Sequence, residues 1–283
     1  MKAIAKTLLL AVACAIFGST FAYAQRQLGK KKGPTSKLFL AESKGGGSIQ
    51  TEGRILEPKQ ATAFDAPGTI IETSQDSYQA FVYSNGTGMY LDEDTRVEID
   101  RFVQEPFQPE RNSTETEPSI SQSDVFISHG FVGICTSQLI SGTSMVYSTP
   151  QASVNIRGQK LAIDVKDDVT TVYLLEGDVT VRSGTRDVGG VILRPGEKAT
   201  IRQGAPGTPP TITVDPIEKE IMNTLDDRVS VACNVKKTVA FESMDKDSTS
   251  GGGDSEINAN PIVPAAPPVQ ITVSPDRLQP GGG

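Results

Sequence analysis

Residues that could carry acid–base or nucleophilic chemistry are scarce in this sequence of 283 residues. It contains one histidine, His129, and three cysteines. A serine–histidine–acid triad would have to use His129, and no nucleophile-elbow motif accompanies it. A zinc site needs three or four ligands, usually histidines and cysteines, which the chain is short of. We therefore expect a non-enzymatic protein with no catalytic residue, no metal site and no cofactor.

Carboxylates are the other groups that could hold a ligand. They cluster at Asp92–Asp94 and again at Asp164, Asp167 and Asp168. Calcium prefers such oxygen ligands, although neither spacing matches an EF-hand loop. We interpret both clusters as solvated hairpin turns, with a calcium site as the alternative.

The first 24 residues are typical of a signal peptide. Two lysines precede an apolar run, Thr7–Phe17, that is too short for a comfortable membrane span. Ala22-Tyr23-Ala24 then provides a cleavage site between Ala24 and Gln25. The sequence predicts an exported protein, periplasmic or secreted, with no transmembrane segment after cleavage. An uncleaved anchor and a lipid-modified Cys14 are the alternatives.

Net charge argues against a nucleic-acid partner. The formal charge is −7, and the leader carries two lysines and no acid, so the mature chain is more acidic still. Nucleic-acid binding draws on clustered Lys and Arg. The one such cluster, Lys30–Lys32, lies in a short lead-in (residues 25–36) that we interpret as a flexible linker.

Alternating apolar residues run through the segment from Ser148 to Gln203. A period of two indicates half-buried strands, and turn formers such as Glu176-Gly177-Asp178 separate the runs. Similar patterns begin near Lys37. The sequence predicts one all-β domain over residues 37–203, with a polar, Pro-rich surface loop inserted at 104–124.

Three motifs in this segment, in order, resemble the FecR-type domain. They are Thr149–Gly158 (TPQASVNIRG), Leu175–Val181 (LEGDVTV) and Leu193–Glu197 (LRPGE). The resemblance covers roughly residues 53 to 203, and it implies an antiparallel β-sandwich or β-roll outside the cytoplasm. Gln159 stands where the family usually has Thr.

Signalling members of this family carry a cytoplasmic sigma-factor-binding domain and a membrane helix ahead of the β-domain. Only Met1–Lys6 precede the apolar run here. We expect a secreted member that lacks both segments. The family motif pairs are Arg157-Gly158, Glu176-Gly177 and Pro195-Gly196. For Arg157-Gly158 we favour a structural role, a bulge or close backbone approach, over a binding role.

Beyond the β-domain, residues 204–241 are predicted to be a linker followed by an amphipathic helix. Asp215-Pro216-Ile217-Glu218 has the pattern of a capped helix start, and an apolar stripe follows. Ser230–Phe241 could prolong the helix or form a strand. The stripe consists of Ile217, Ile221, Leu225 and Val229.

Residues 242–283 are rich in Pro and Gly, and their composition predicts a disordered tail. The tail contains one alternating patch, Val269, Ile271 and Val273. Such a patch can add as a strand to a sheet edge, although an idle tail is the interpretation we favour.

Cys135 and Cys233 are the two cysteines that remain after leader cleavage. Export places them in an oxidising compartment, where thiols tend to pair. We predict a disulfide that joins the helix region to the β-domain, with two buried free thiols as the alternative.

Two function classes remain. The first is a non-enzymatic scaffold or protein-interaction module of the bacterial envelope, with an envelope or extracellular protein as partner. The alternative is a module that binds a glycan or small ligand. A stripe of exposed aromatic residues would favour the glycan, and its candidates are Tyr78, Phe81, Tyr83 and Tyr90.

Overall fold

A computed structural model describes residues 36–107, 115–184, 190–205, 208, 210–244 and 256–261. The predicted signal peptide, its predicted Ala24–Gln25 cleavage site and the lead-in lie outside these residues. The described helix is α1 (Lys219–Thr238). The strands are β1 (Lys37–Lys44), β2 (Gly47–Thr51), β3 (Arg54–Leu56), β4 (Thr62–Asp65), β5 (Thr69–Thr73), β6 (Tyr78–Tyr83), β7 (Gly88–Leu91), β8 (Arg96–Gln104), β9 (Ser121–Cys135), β10 (Ser144–Ser148), β11 (Ala152–Ile156), β12 (Lys160–Lys166), β13 (Val169–Glu176), β14 (Val179–Ser183), β15 (Gly190–Leu193), β16 (Glu197–Arg202), β17 (Thr211–Pro216), β18 (Val239–Met244) and β19 (Glu256–Pro261).

The first seventeen strands form two nine-stranded layers that share β9. Sheet A has the order β4-β1-β6-β7-β9-β12-β13-β16-β17, and sheet B has the order β3-β2-β5-β8-β9-β10-β11-β14-β15. The first half of β9 pairs in sheet B and its second half in sheet A. The strand changes sheets at Gly130, whose φ of +95° suits glycine. Among the described strand pairs of these sheets, only β9 with β10 is parallel, and the all-β prediction is confirmed.

The main core lies between the two sheets. Alternation along each strand directs every second side chain inward, and the inward set is mostly Val, Ile and Leu. Two tyrosines are also fully buried there. The hydroxyl groups of Tyr83 and Tyr147 bond to each other, and the Tyr83 ring packs 5.0 Å from that of Phe102.

Helix α1 covers the outer face of sheet A, which we call the clamped face. The predicted stripe is confirmed within α1, because Leu225 and Val229 are buried against this face and Ile221 is partly buried there. Ile217 is also buried, although it precedes the helix. Two sheet glycines let the helix come close. A Cβ atom on Gly88 would overlap the carbonyl oxygen of Ala232, and one on Gly133 would lie 3.3 Å from the Val229 Cα.

The helix start differs from the prediction. Asp215 and Pro216 end strand β17, whose six residues pair with β16, and Glu218 is the N-cap without a side-chain capping bond. Pairing with a neighbouring strand outweighs the local capping pattern. The ambiguous segment Ser230–Phe241 contains both elements, since α1 runs to Thr238 and β18 follows directly.

Two other predicted segments, the loop and the tail, also differ from the structure. The 104–124 loop is shorter, because Gln104 belongs to β8 and β9 already begins at Ser121. Within it, Glu117 is buried. The tail predicted to be disordered contains strand β19, which pairs with β18.

Candidate functional site

Two of the family motif pairs, Arg157-Gly158 after β11 and Glu176-Gly177 at the end of β13, lie against each other. A Cβ atom on Gly158 would lie 2.9 to 3.0 Å from backbone atoms of Glu176 and Asp178, and one on Gly177 would overlap Gly158 itself. The Arg157 N–H donates to the Asp178 carbonyl at 3.0 Å. Both glycines are therefore required by close backbone approach, while Arg157 and Glu176 are exposed.

Pro195-Gly196 forms a third tight turn. Gly196 has a φ of +88°, and its N–H donates to the Leu174 carbonyl at 2.8 Å. The Gly196 carbonyl accepts from the Ile217 N–H, also at 2.8 Å. This turn thus connects β13 to the chain entering α1.

The structure joins Cys135 on β9 to Cys233 on α1 in a disulfide. Their Cα atoms are 5.1 Å apart, and the two residues are separated by 98 positions in sequence. The bond borders an open cleft of about 580 Å³ between α1 and the ends of β9, β12 and β13. Gln159 and Glu176, beside the family motif turns, line the same cleft.

Lys236 lies at one side of this cleft. Its ammonium group donates to the Thr136 carbonyl at 3.0 Å and to the Ser137 Oγ at 3.1 Å. Burial, with a smaller contribution from the neighbouring charge of Lys237, lowers the pKa of Lys236 to about 8. This side chain fastens the last turn of α1 to the loop after β9.

Ion pairs fasten the rest of the helix. Lys160 contacts Asp226 at 2.5 Å. Arg228 contacts Asp92 at 2.8 Å, and its guanidinium lies 5.0 Å from the centre of the Phe131 ring. Together with the disulfide, these contacts attach α1 along most of its length.

A second cleft, of about 630 Å³, brings together both acidic clusters. Asp92, Asp94, Asp164 and Asp167 line it, and so does His129. The His129 Nε2 is 3.9 Å from an Asp94 carboxylate oxygen, and both side chains are at least half exposed. No group of three or more His, Cys, Asp or Glu among the described residues is placed to hold a metal ion. The calcium alternative has no geometric support.

The aromatic residues proposed for glycan binding do not form an exposed stripe. Phe81 and Tyr83 belong to the main core. Tyr78 and Tyr90 pack together under α1, where their hydroxyls donate to Glu42 at 2.5 Å and Asp92 at 2.9 Å.

The outer face of sheet B has no helix over it among the described residues, and we call it the bare face. Helix α1 lies against strands of sheet A instead. Ile70 and Phe126 are partly exposed on the bare face. Both pair with Glu98 on β8, so the three residues lie in one row across the sheet. Ile192 on β15 is 70% exposed at one end of this face.

Strand β3 forms the opposite end of sheet B. It pairs with β2, and no other described strand pairs with it. All three of its residues are exposed; Ile55 is 74% exposed and Leu56 38%. An unpaired edge with apolar side chains can accept another strand.

Residues 69–180 match the family model described as FecR protein. Over these residues the chain is similar to a FecR domain. The match begins with β5 and ends within β14, so α1 and Cys233 lie beyond the matched FecR domain. None of the curated proteins matches the chain.

Two crystal structures from Parabacteroides distasonis ATCC 8503, each described as a "putative anti-sigma factor", are similar to this chain. The identities are 16% and 15%, and the TM-scores are 0.39 and 0.38. Each alignment covers 54% of this chain and 62% of the length of the other. Of the described residues, only α1 forms a helix, and it is not apolar enough to cross a membrane.

Sequence reasoning missed the bare face. Ile70 and Phe126 stand in strands whose neighbours, Ile71 and Ile127, are also apolar, so a strict alternation of apolar and polar residues is absent there. The sequence signal that could have revealed this face is an apolar residue at a position that alternation directs outward, between two inward-facing residues.

Proposed function

We propose that this protein is an exported, non-enzymatic interaction module of the bacterial envelope that binds another envelope or extracellular protein. The bare face carries the proposal. It exposes apolar side chains on a rigid sheet, whereas the matching face of sheet A is filled by α1. Exposed apolar groups on a rigid surface are a feature of protein-binding sites.

Two other observations support the proposal. The disulfide between Cys135 and Cys233 suits an oxidising compartment, as does the predicted signal peptide. The match of residues 69–180 to the FecR family model supports a protein partner, because members of that family act through protein contacts. The glycan alternative loses its main support, since Tyr78 and Tyr90 lie under α1.

Site-specific photo-crosslinking in the native envelope tests this function. A photoreactive residue in place of Phe126 should give a discrete protein adduct, and the same residue at Thr213, exposed on β17 of sheet A, should not. Adding Ile70→Asp should abolish the adduct from position 126. Equal labelling at both positions, or no protein adduct at position 126, would contradict the proposal.

A further inference from the structure

The open cleft beside the disulfide, which we call the lysine cleft, contains a positive charge without a negative partner. The Lys236 ammonium group is half-buried, and its two described partners, the Thr136 carbonyl and the Ser137 hydroxyl, are both neutral. None of the described carboxylates forms an ion pair with it. A partly buried charge is costly unless an anion balances it.

This ammonium group also has a hydrogen to spare. An ammonium can donate three hydrogen bonds, and the described residues accept two of them. Lys236 lines the lysine cleft, so the third N–H can bond to a molecule that enters it. A neutral donor would suffice to fasten the end of α1, so fastening alone does not explain why a charge is placed here.

Other charged side chains around the cleft leave this charge unbalanced. Lys160 contacts Asp226 at 2.5 Å, so its own charge has a partner. Lys237 is exposed and adds a second positive charge. Glu115 and Glu176 also line the cleft, but both are exposed. Solvent and salt screen exposed charges more strongly than partly buried ones, so the half-buried ammonium group is the strongest site for an anion.

The rest of the lining indicates the kind of molecule that fits. Gln138, Gln159 and Asn234 present exposed amide groups, and Ser230 adds a hydroxyl. Of the described residues that line the cleft, none is a Val, Leu, Ile, Met or aromatic residue. A volume of about 580 Å³ is typical of small-molecule sites. Such a lining selects a small ligand with several hydrogen-bonding groups.

We propose that the lysine cleft binds a small polar molecule through a carboxylate, which accepts a hydrogen bond from the Lys236 ammonium group. The amides of Gln138, Gln159 and Asn234 bind the hydroxyl or amide groups of the same molecule. None of the residues that line the cleft belongs to the bare face, so this site is separate from the one proposed for a protein partner.

Calorimetric titration of the full mature chain with matched probes tests the ligand chemistry. Glucuronate presents a carboxylate on a sugar, and N-acetylglycylglycine presents one at a peptide end. At least one of them should bind at pH 7, and the tighter of the two identifies the source of the carboxylate. Glucose and N-acetylglycylglycine amide lack the carboxylate, so each should bind more weakly than its charged counterpart by about tenfold or more.

Proton uptake shows whether Lys236 is the group that binds. Its pKa is lowered to about 8 by burial and by the charge of Lys237, so about half of these groups are neutral at pH 8. A bound carboxylate favours the charged form, and binding at pH 8 should take up about half a proton per ligand. Titrations in Tris and in triethanolamine measure this uptake. For the same reason, affinity should fall roughly tenfold between pH 7 and pH 9.

Two variants and their matched controls locate the site. Lys236→Met should remove the proton uptake and weaken binding by about tenfold or more, whereas Lys219→Met, at the other end of α1, should change neither. Asn234→Asp adds a repelling carboxylate to the lining at an exposed position, so it should weaken binding without affecting the fold. Asn223→Asp, exposed on α1 but outside the lining, should bind like wild type.

Three results would overturn the inference. One is the absence of binding by both carboxylate probes. Another is equal affinity of wild type and Lys236→Met for the probe that binds. The third is binding at pH 8 without proton uptake. All of these measurements use the isolated chain, so their outcome does not depend on the proposed function.

Discussion

Gly88 on β7 lies directly beneath the carbonyl oxygen of Ala232 on α1, with no room for a Cβ atom between them. One turn earlier, Val229 of the helix passes over Gly133 of β9. Helix backbone thus packs on strand backbone, so α1 is part of the β-domain. Both glycines lie inside the matched FecR region and the helix lies outside it, so the matched region alone leaves this face of sheet A uncovered.

Gly88→Ala should destabilise the protein, because the added methyl group must push the helix away from the sheet. Overpacking of this kind costs about 1–3 kcal/mol, and each kcal/mol lowers the melting temperature of a domain this size by roughly 2–4 °C. Gly46→Ala is the matched control, since its Cβ atom would meet only the Ser74 side chain, at 3.4 Å from Oγ and 3.8 Å from Cβ. Thermal unfolding followed by circular dichroism measures both. Equal melting of Gly88→Ala and wild type would contradict the close packing.

Features with a local cause were predictable from the sequence. Alternation marked strands such as Val154–Ile156 and Leu161–Val165, because a half-buried strand needs a period of two. The apolar stripe on α1 was predictable because apolar residues on one face of a helix recur every three or four positions. The pairing of Cys135 with Cys233 was predictable because they are the two cysteines outside the predicted signal peptide.

Features set by distant parts of the chain were not predictable in this way. Nothing near Gly130 in sequence shows that β9 changes sheets there, because its partners come from β7, β8, β10 and β12. Asp215-Pro216 has the local sequence of a helix start, but both residues pair with β16 and end strand β17 instead. The acidic clusters meet in one cleft only because the sheet places their turns side by side.

Replacing Cys135 and Cys233 by serine should lower stability without changing the fold. The bond closes a loop of 98 residues, for which the chain-entropy model gives about 4–5 kcal/mol as an upper figure. We expect a fall in melting temperature of roughly 10 °C. Wild type in reducing buffer should have the same melting temperature as the double variant. Two thiols titrated in the denatured, non-reduced wild type would show that the bond is absent.

Stability should rise between about pH 8 and pH 10 because of Lys236. Burial lowers its pKa to about 8 in the folded state, against 10.5 for an ordinary lysine. In this window the unfolded chain binds more protons at this site than the folded chain does, so raising the pH favours folding. Lys236→Met should flatten the slope in urea unfolding measured from pH 8 to pH 9.5. The exposed neighbour Lys237→Met serves as control, and an unchanged slope in Lys236→Met would refute the assignment.

Above about pH 10 the trend should reverse. Burial raises the pKa of Tyr83 and of Tyr147 above the usual value of 10.0. The folded protein keeps these protons while the unfolded chain loses them, so the stability they contribute is lost as the pH rises past 10. Tyr147→Phe should unfold at higher pH than wild type in an alkaline titration followed by tyrosinate absorbance. An unchanged midpoint would show that Tyr147 does not limit alkaline stability.

Glu117 should be the most sensitive of the described residues in the loop between β8 and β9. Its carboxylate is buried, and it accepts four hydrogen bonds that fix the end of this loop to two others. The donors are the Asn85 amide at 3.4 Å, the Ser121 hydroxyl at 2.5 Å, the Ile140 N–H at 3.3 Å and the Thr143 hydroxyl at 2.6 Å.

Glu117→Ala leaves these donors without their acceptor, and unsatisfied buried donors are costly. We expect a loss of about 2–4 kcal/mol in the free energy of unfolding, measured in urea at an unchanged m-value. Glu117→Gln keeps the shape and one acceptor oxygen, so it should lose less. The exposed neighbour Glu115→Ala should unfold like wild type. If Glu117→Ala and Glu115→Ala unfold alike, the carboxylate does not hold the loop, and residues 115–120 are anchored by backbone pairing such as that of Glu117 with Gln138.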